Sequence, residues 1–271
     1  MEKRIVVCGA AGRMGKMLVR LIGTHPDAKL AGAIESEGHP SLGKDAGKEA
    51  GGESLGVSIT SDYSEVAAPD TTALDFTIAD VAADHLRIAV AKGAGIAIGT
   101  TGLSDEQRAE AESIAPQSRV ILAPNMSVGV NILMKVVKDV AKIIGGDFDT
   151  EISEMHHRFK IDAPSGTAIA LGRIIAEAQR KQFGENVRYA REGLTGERTD
   201  DEIGIMALRG GDTPGDHTVF FAGLGERLEF THRALDRECL ARGAVRAALW
   251  LADKPNGLYT MADVLGFDVD R

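Results

Sequence analysis

The stretch that decides the fold is Arg4-Ile5-Val6-Val7-Cys8-Gly9-Ala10-Ala11-Gly12-Arg13-Met14-Gly15. Its first five residues form a short apolar run that predicts a buried β-strand. A turn of small residues follows, and apolar side chains at helical spacing continue to Ile22. Small residues between a strand and a helix let the backbone turn tightly and leave the first N–H groups of the helix available to an anion. We therefore predict the first strand, loop and helix of an α/β sheet.

The same alternation continues to about residue 122. Strands are predicted at residues 30–34, 73–77, 95–98 and 119–122, and helices at residues 80–92 and 104–115. Residues 38–56 are rich in glycine and charge, which predicts a long surface loop. Alternating strands and helices of these lengths indicate an α/β fold with a doubly wound, Rossmann-type parallel sheet.

The pattern changes after Asn125. A long apolar helix is predicted at residues 128–144, a strand at 148–157 and a helix at 167–181. Strands at residues 202–208, 217–221 and 227–232 then follow one another without intervening helices, and a last helix is predicted at 237–251. This order indicates a smaller α+β domain with a largely antiparallel sheet.

The glycine loop has the spacing G-x-x-G-x-x-G, which points to a dinucleotide. Glu35 lies 20 residues beyond Gly15, at the end of the second predicted strand. In dinucleotide-binding sheets the pyrophosphate lies on the helix N-terminus, and such an acid accepts hydrogen bonds from the adenosine ribose. A plain tight turn beside an exposed glutamate is the alternative. Ser36 follows Glu35 where an arginine would favour a 2′-phosphate. Although Arg13 could still reach that phosphate, we predict that NADH is used at least as well as NADPH.

Two further loops end strands of the same predicted sheet. They are Gly99-Thr100-Thr101-Gly102 and Ala123-Pro124-Asn125-Met126-Ser127. Ligands of open α/β sheets bind at the carboxyl ends of the strands, and small polar residues there suit the nicotinamide half of a dinucleotide. Ordinary turn chemistry remains the alternative for each loop taken alone.

A dense basic group, His156-His157-Arg158-Phe159-Lys160, precedes the turn Pro164-Ser165-Gly166-Thr167. Histidine suits proton transfer near neutral pH, and Lys160 can bind a carboxylate or donate a proton. The turn is predicted to begin a helix, where glycine lets a carboxylate approach the backbone N–H groups and Thr167 adds a donor. The alternatives are a solvated charged turn and a simple helix start. Neither histidine has a metal-ligand pattern beside it, so no metal is predicted.

Weaker signals complete the survey of polar residues. The other histidines are scattered, and we expect surface or structural positions for them: His25, His39, His85, His217 and His232. The turn at residues 209–215 could lie near the site, but its spacing does not decide this. Cys8 lies in an apolar run and is predicted to be a buried filler.

Composition excludes several classes of protein. The chain has 271 residues, 44% hydrophobic and 26% charged, which is ordinary for a globular protein. Its formal net charge of -9 and its aromatic content of 4% argue against nucleic-acid binding. No apolar stretch approaches the roughly 20 residues of a membrane span. Two isolated cysteines without a secretory signal predict a reduced, cytoplasmic protein.

The whole pattern resembles a known family. The run Glu154-x-His156-His157-Arg158-x-Lys160-x-Asp162-Ala163-Pro164-Ser165-Gly166-Thr167-Ala168 is similar to the signature of the 4-hydroxy-tetrahydrodipicolinate (dihydrodipicolinate) reductases. The glycine loop and the loops at Gly99 and Ala123 look like that family's nucleotide loops. The resemblance implies reduction of a cyclic dicarboxylate to tetrahydrodipicolinate by NADH or NADPH, in the diaminopimelate route to lysine.

The resemblance also implies roles for residues. His156 would be the acid/base residue and Lys160 the proton donor, while His157, Gly166 and Thr167 would hold substrate carboxylates. The implied cofactor contacts are Gly9, Ala10, Ala11, Gly12, Arg13, Met14, Glu35, Gly99, Thr100, Thr101, Ala123, Pro124, Asn125 and Met126. The family often has an arginine after the acidic ribose ligand, and Ser36 departs from this pattern.

The resemblance implies a domain organisation and an assembly as well. Residues 1–127 and 241–271 would form the dinucleotide-binding domain, and residues 128–240 the domain for substrate binding and oligomerisation. The assembly would be a homotetramer formed through the sheets of the second domain. Closure of the two domains over the ligands is a further expectation.

Two other functions compete with this interpretation. One is a different two-domain dehydrogenase, acting on an amino acid or a sugar, which the paired histidines and the K-x-D-A-P-S-G-T run disfavour. The other is a non-catalytic nucleotide sensor, which would keep the glycine loop but would not need a basic group beside an anion-binding turn.

Overall fold

The computed structural model describes residues 2–267, and the chain folds as two compact units. The first unit comprises Met1–Val128 and Glu238–Arg271, and the second comprises Gly129–Arg237. The boundaries inferred from the resemblance lie at 127/128 and 240/241. The segment 241–271 was assigned to the first domain, and its last residues, 268–271, lie outside the described residues. The functional roles given to the two units stay predictions.

Twelve strands occur within residues 2–267. They are β1 (Lys3–Cys8), β2 (Ala28–Ile34), β3 (Ile59–Thr60), β4 (Thr71–Asp75), β5 (Gly95–Ile98), β6 (Arg119–Leu122), β7 (Asp149–His156), β8 (Val187–Arg188), β9 (Ile203–Arg209), β10 (Gly215–Gly223), β11 (Glu226–Ala234) and β12 (Gly257–Tyr259).

Nine α-helices occur in the same described part of the chain. They are α1 (Arg13–Thr24), α2 (Ala46–Glu49), α3 (Ala79–Lys92), α4 (Asp105–Ile114), α5 (Val128–Ile144), α6 (Gly166–Ala178), α7 (Phe183–Asn186), α8 (Glu238–Leu251) and α9 (Met261–Leu265). None of the helices among the described residues is both long enough and apolar enough to cross a membrane.

The first unit contains a parallel sheet. Among the described residues its strand order is β12-β6-β5-β4-β1-β2-β3, and every neighbouring pair runs parallel. The order reverses at β1, between β2 and β4, which creates the crevice where doubly wound sheets bind ligands. The predicted Rossmann-type sheet is confirmed.

Helices cover both faces of this sheet because the strands are apolar on both sides. Ile5 and Val7 of β1 pack in one core cluster with residues of α1 and α8, whereas Val6 and Cys8 pack in the opposite cluster with residues of α3 and α4. All four side chains are fully buried, Cys8 included as predicted. Continuous apolar strands of this kind are typical of parallel sheets buried on both faces.

The second unit contains a mixed sheet in the order β11-β10-β7-β9-β8. The long strand β10 runs antiparallel to both β7 and β11, whereas β7, β9 and β8 run parallel. One face packs against apolar residues of α5 and α6, such as Val137 and Leu171, to form a core with Ile152 and Phe221. The predicted α+β domain is confirmed. The parallel edge arises because α6 lies in the connection between β7 and β9.

Residues 38–56 are not simply a loop, as was predicted from their glycine and charge. They contain the short helix α2, in which Ala46 is buried, and Ala50, which directly follows the helix, is buried as well. The Asp45 carboxylate accepts hydrogen bonds from the N–H groups of Lys48, Leu55 and Gly56, at 2.8–3.2 Å. One side chain therefore holds this segment together, a tertiary effect that composition does not reveal.

Candidate active site

The glycine loop lies between β1 and α1 and can take only very small residues. A Cβ atom at Gly15 would lie 2.0 Å from the carbonyl oxygen of Gly9 and 2.7 Å from the Cα of Ala10. Gly9 itself has a φ of +77°, a conformation that favours glycine. Gly12 precedes α1 and provides no side-chain cap, so the N–H groups at the start of this helix are not satisfied by their own N-cap.

Glu35 stands directly after β2 and faces the loop. Its Oε2 accepts a hydrogen bond from Ala11 N at 3.0 Å, and its Oε1 accepts one from Ser36 N at 3.0 Å. Gly9 and Ala10 donate to the carbonyl of Ile34 at 2.8 and 2.9 Å. The end of β2 and the glycine loop are therefore joined by both backbone and carboxylate.

A cavity of about 420 Å³ opens beside this loop within the first unit. Its lining residues come from several strand ends and from the start of α3: Gly9, Gly12, Ile34, Glu35, Ser36, Ser61, Phe76, Thr77, Ile78, Val81 and His85. The cavity is thus at the carboxyl ends of β1, β2 and β4, around the point where the strand order reverses. This is the expected position of a dinucleotide.

The remaining predicted cofactor residues follow neighbouring strands. Arg13 and Met14 begin α1, Gly99-Thr100-Thr101 follows β5, and Ala123-Pro124-Asn125-Met126 follows β6. Pro124 and Thr101 are exposed, but Met126 is a core residue whose side chain is 1% exposed. A Cβ atom at Gly99 would lie 2.2 Å from the ring of Phe76, so glycine is required for that ring to pack there.

Asp75, at the end of β4, connects these loops but was not predicted from the sequence. It is fully buried, and its Oδ1 accepts hydrogen bonds from Thr77 N, Thr77 Oγ1 and Thr100 Oγ1 at 3.0, 2.7 and 2.9 Å. Its Oδ2 lies 2.6 Å from His85 Nδ1. The predicted structural position of His85 agrees with this contact. Cys8 lies near the pair, and burial raises the pKa of its thiol.

The basic residues of the second unit surround one buried carboxylate. His156 is the last residue of β7, and its Nδ1 lies 2.6 Å from Glu154 Oε2. Arg209, at the end of β9, donates to both oxygens of Glu154 at 2.8 and 2.9 Å. The Glu154 side chain is fully buried, and that of His156 is 11% exposed. Neither Glu154 nor Arg209 was assigned a role from the sequence.

The predicted anion-binding turn is joined to the same carboxylate. Ser165 N donates to Glu154 Oε1 at 3.0 Å, while Ser165 Oγ accepts from Ala168 N at 3.2 Å and caps α6. Gly166 follows as the first residue of the helix and is exposed, and apart from its chain neighbours and the adjacent helix backbone no atom of residues 2–267 lies within 4 Å of an added Cβ. Thr167 is half-buried. The helix start is therefore open on the side of Gly166.

His217 was predicted to take a surface or structural position, and it lies inside this group. Its ring is 3% exposed, and its Nε2 lies 3.0 Å from Ser165 Oγ. The rings of His156 and His217 meet edge to face with centroids 5.2 Å apart. The pairing of β10 with β7 brings them together, because His217 stands opposite Glu154 in the sheet.

Lys160 and His157 have different partners. Lys160 Nζ donates to Asp162 Oδ1 at 2.8 Å, and its side chain is 20% exposed. His157 Nε2 lies 3.0 Å from a guanidinium nitrogen of Arg237. Since a guanidinium only donates, His157 Nε2 accepts in this contact and its Nδ1 carries the proton. The peptide bond between Ala163 and Pro164 in the intervening turn is cis.

The electrostatics of the group follow from burial and from the Glu154 contacts. Burial lowers the pKa of His156, although the Glu154 carboxylate opposes this effect. Burial, with the neighbouring His156, lowers the pKa of His217 to about 4. Burial alone would raise the pKa of Glu154, but the hydrogen bonds from Arg209 and His156 outweigh it, and the pKa is lowered. A neutral imidazole pair beside an ionised carboxylate is the resulting arrangement near pH 7.

The sequence contained only partial signals for the unassigned residues. Glu154 stood two residues before His156, a spacing that puts both side chains on one face of a strand. Arg209 lay in a turn that was left undecided. Their contact spans 55 residues along the chain, so spacing could not identify it.

Comparisons with known proteins agree across both units. The family model described as "Dihydrodipicolinate reductase, N-terminus" matches residues 3–126, and "Dihydrodipicolinate reductase, C-terminus" matches residues 129–265. The 4-hydroxy-tetrahydrodipicolinate reductases of Anaeromyxobacter dehalogenans and Citrifermentans bemidjiense are each 48% identical over 263 residues, covering 97% of this chain and 97% and 98% of theirs. The solved dipicolinate-bound dihydrodipicolinate reductase from Paenisporosarcina sp. is similar with a TM-score of 0.75 and 26% identity, covering 97% of this chain and 99% of that one.

Proposed function

Because this chain belongs to the dihydrodipicolinate reductase family, we propose that it reduces 4-hydroxy-tetrahydrodipicolinate (dihydrodipicolinate) to tetrahydrodipicolinate with NADH or NADPH, in the diaminopimelate route to lysine. It is an oxidoreductase, and the resemblance seen in the sequence is confirmed. The agreement of both family models, one on each unit, is the observation that carries this conclusion. It disfavours the rival dehydrogenases and the nucleotide sensor.

The first unit is proposed to hold the nicotinamide cofactor, which supplies the hydride when it is bound. The cradle at Gly15 and Gly12, which a Cβ would fill, and the neighbouring cavity fit a pyrophosphate. The residues proposed to contact it are those predicted from the sequence, including Glu35 at the ribose and the loops after β5 and β6. Met126 and Thr100 contribute backbone atoms, since the Met126 side chain is in the core and the Thr100 hydroxyl donates to Asp75.

The second unit is proposed to bind the cyclic dicarboxylate. Gly166 and Thr167 receive one carboxylate at the exposed start of α6, where the partial positive charge of the helix N-terminus favours an anion. His157, whose Nε2 accepts a hydrogen bond from Arg237, is proposed to lie beside the other carboxylate. Holding the ring by two carboxylates leaves it few orientations, and orientation alone can supply a large part of a rate enhancement.

His156 and Lys160 are proposed to manage the proton. Hydride addition to an unsaturated ring carbon leaves negative charge on the ring, and a proton must then be delivered to it. Lys160 keeps one N–H on Asp162 and has two others with which to stabilise this charge or donate. His156 Nε2 is the nitrogen not used by Glu154, and it exchanges a proton with the substrate. A dianionic substrate would raise the pKa of this buried imidazole.

An assay with the product of the preceding synthase step tests the function directly. We expect NADH or NADPH to be oxidised in proportion to the tetrahydrodipicolinate formed. An amino-acid or sugar substrate that is turned over faster would favour the rival dehydrogenase. Cofactor binding without any oxidation of NADH would favour the nucleotide sensor.

Use of NADH at least as well as NADPH is proposed from the surroundings of Glu35. The Glu35 carboxylate accepts hydrogen bonds from Ala11 N and Ser36 N, which fix it beside the position proposed for the adenosine ribose. A carboxylate there would repel the 2′-phosphate of NADPH. We expect kcat/KM with NADH to equal or exceed that with NADPH. Replacement S36R should improve the NADPH value relative to NADH by about 10- to 100-fold, since an arginine–phosphate pair contributes about 1.5–3 kcal/mol. An overwhelming NADPH preference of the unaltered enzyme contradicts the proposal.

A homotetramer in the cytoplasm is proposed as the working form. The face of the second sheet opposite its core carries Met206, Leu208 and Phe220, and Leu208 is 53% exposed. An apolar surface on a sheet favours association. Light scattering that gives the mass of a single chain would contradict the assembly. Recovery from a membrane or secreted fraction would contradict the location.

A further inference from the structure

The Glu154 carboxylate is surrounded by hydrogen-bonding groups of three other residues. Its Oε1 accepts from Ser165 N at 3.0 Å and from Arg209 Nη2 at 2.9 Å. Its Oε2 lies 2.8 Å from Arg209 Nη1 and 2.6 Å from His156 Nδ1. The side chain is fully excluded from solvent. These contacts occupy both oxygens of the carboxylate within the second unit.

The contacts join three separate parts of the chain. His156 ends β7, Ser165 begins the turn that leads into α6, and Arg209 ends β9. Arg209 also donates to the carbonyl of Asp162 at 2.6 Å, which ties the turn to the same guanidinium. The proposed proton-transfer residue and the proposed carboxylate-binding turn therefore share one anchor.

An ionised carboxylate can only accept hydrogen bonds. The paired contact from Arg209 keeps Glu154 ionised, since a charge removed from water requires a close partner of opposite charge. His156 Nδ1 must then be the donor in its contact with Glu154. In a neutral imidazole only one nitrogen carries a proton, so Nε2 is left with a free lone pair.

We propose that Glu154, held by Arg209, is a positioning residue that keeps the proton of neutral His156 on Nδ1 and directs the Nε2 lone pair to the substrate. Gly215 leaves room for the imidazole in this orientation, because a side chain at that position would place its Cβ only 2.9 Å from His156 Nε2. The proposal rests on the proposed function only where it gives His156 a part in proton transfer. The tautomer itself is a property of the protein without ligands.

The ¹⁵N NMR spectrum of the histidine-labelled enzyme tests the tautomer without any variant. Difference against H156Q identifies the His156 signals. At a pH where His156 is neutral, we expect a protonated Nδ1 and an unprotonated Nε2. A protonated Nε2 in the unaltered protein overturns the proposal, even if every substitution at Glu154 prevents folding.

Replacement E154Q should reverse the tautomer. A glutamine has one acceptor oxygen and one donor NH₂ group, so it cannot serve all four donors. Ser165 N cannot become an acceptor, whereas neutral His156 can, by moving its proton to Nε2. We therefore expect the amide oxygen to face Ser165, the amide nitrogen to face His156, and the NMR signals of the two imidazole nitrogens to exchange roles.

Replacement E151Q is the matched control. Glu151 lies on the same strand, is paired with Arg191 and Arg198, and contacts no histidine within the described part of the chain. We expect E154Q, and not E151Q, to lower kcat by about 10²-fold, the order contributed by a positioned acid or base. The affinity for NADH should stay unchanged in both. Unaltered His156 signals with unaltered kcat in E154Q would overturn the proposal. Loss of kcat in both variants, with unaltered His156 signals, would reduce Glu154 to a structural role.

The two proposals fail in different ways. The NMR experiment does not use substrate, so the expected tautomer with no NADH oxidation would count against the enzymatic function alone. Full activity with the opposite tautomer would count against the role of Glu154 alone.

Discussion

Replacement of Lys160 or His156 by alanine should lower the turnover number by about 10²- to 10⁴-fold each, which is the range that a positioned acid or base contributes. The physical reason is that charge developing on the substrate ring would lose the ammonium or imidazole group that is proposed to stabilise or protonate it. Steady-state kinetics with saturating cofactor and synthase product measure the effect.

Folding must be separated from chemistry in these variants. Lys160 is partly exposed, so K160A should leave the melting temperature nearly unchanged. His156 is buried against Glu154, so H156Q is the better test of chemistry, because it preserves volume and one hydrogen bond. K138A on α5 is the matched lysine control and should retain full turnover. Near-normal turnover in both K160A and H156A would remove these residues from the mechanism.

Replacement G15A should abolish measurable NADH binding, a loss of at least about 100-fold. The new Cβ would lie 2.0 Å from the Gly9 carbonyl oxygen, and both partners in this clash are backbone. Helix α1 must therefore move away from the loop, and the N–H groups that are proposed to face the pyrophosphate would move with it. We also expect a stability loss of about 1–3 kcal/mol, typical of overpacking. Fluorescence titration with NADH and a thermal melt measure the two effects.

Gly23 provides a control in the same helix. A Cβ there would lie 3.0 Å from a terminal carbon of Leu55, at the end of a flexible side chain that can move. G23A should therefore keep the NADH affinity of the unaltered enzyme. Wild-type affinity in G15A would contradict the assignment of this loop to the cofactor. Equal loss of affinity in both variants would attribute the effect to the helix as a whole.

Local chemistry explains why part of the fold could be predicted. The strand, glycine turn and helix that begin the chain depend on neighbours within about 15 residues. The same holds for Ser165 and Gly166, since helix capping is a local interaction. Apolar runs of strand length that alternate with helical spacing indicated the parallel sheet, because burial on both faces requires such runs. The α2 segment was missed because its cap, Asp45, also binds residues ten and eleven positions away.

Residues joined by distant contacts could not be predicted in this way. Asp75 looked like an ordinary strand residue, yet it accepts hydrogen bonds from the loops after two strands. His217 looked like one of several scattered histidines until the pairing of β10 with β7 brought it to Ser165. Strand pairing is decided by the packing of the whole sheet, and no spacing along the chain encodes it.

The amino-acid sequence by itself determined the chemical groups of this protein: a glycine turn that is proposed to hold a pyrophosphate, a carboxylate that is proposed to bind a ribose, and imidazole and ammonium groups beside a helix start. These depend on residue type and short spacing. Only the tertiary structure decided which nitrogen of His156 faces Glu154, and that Arg209 holds this carboxylate from another strand. The reason is that a buried charge must be matched by whatever donors the sheet brings to it, and those donors can come from any part of the chain.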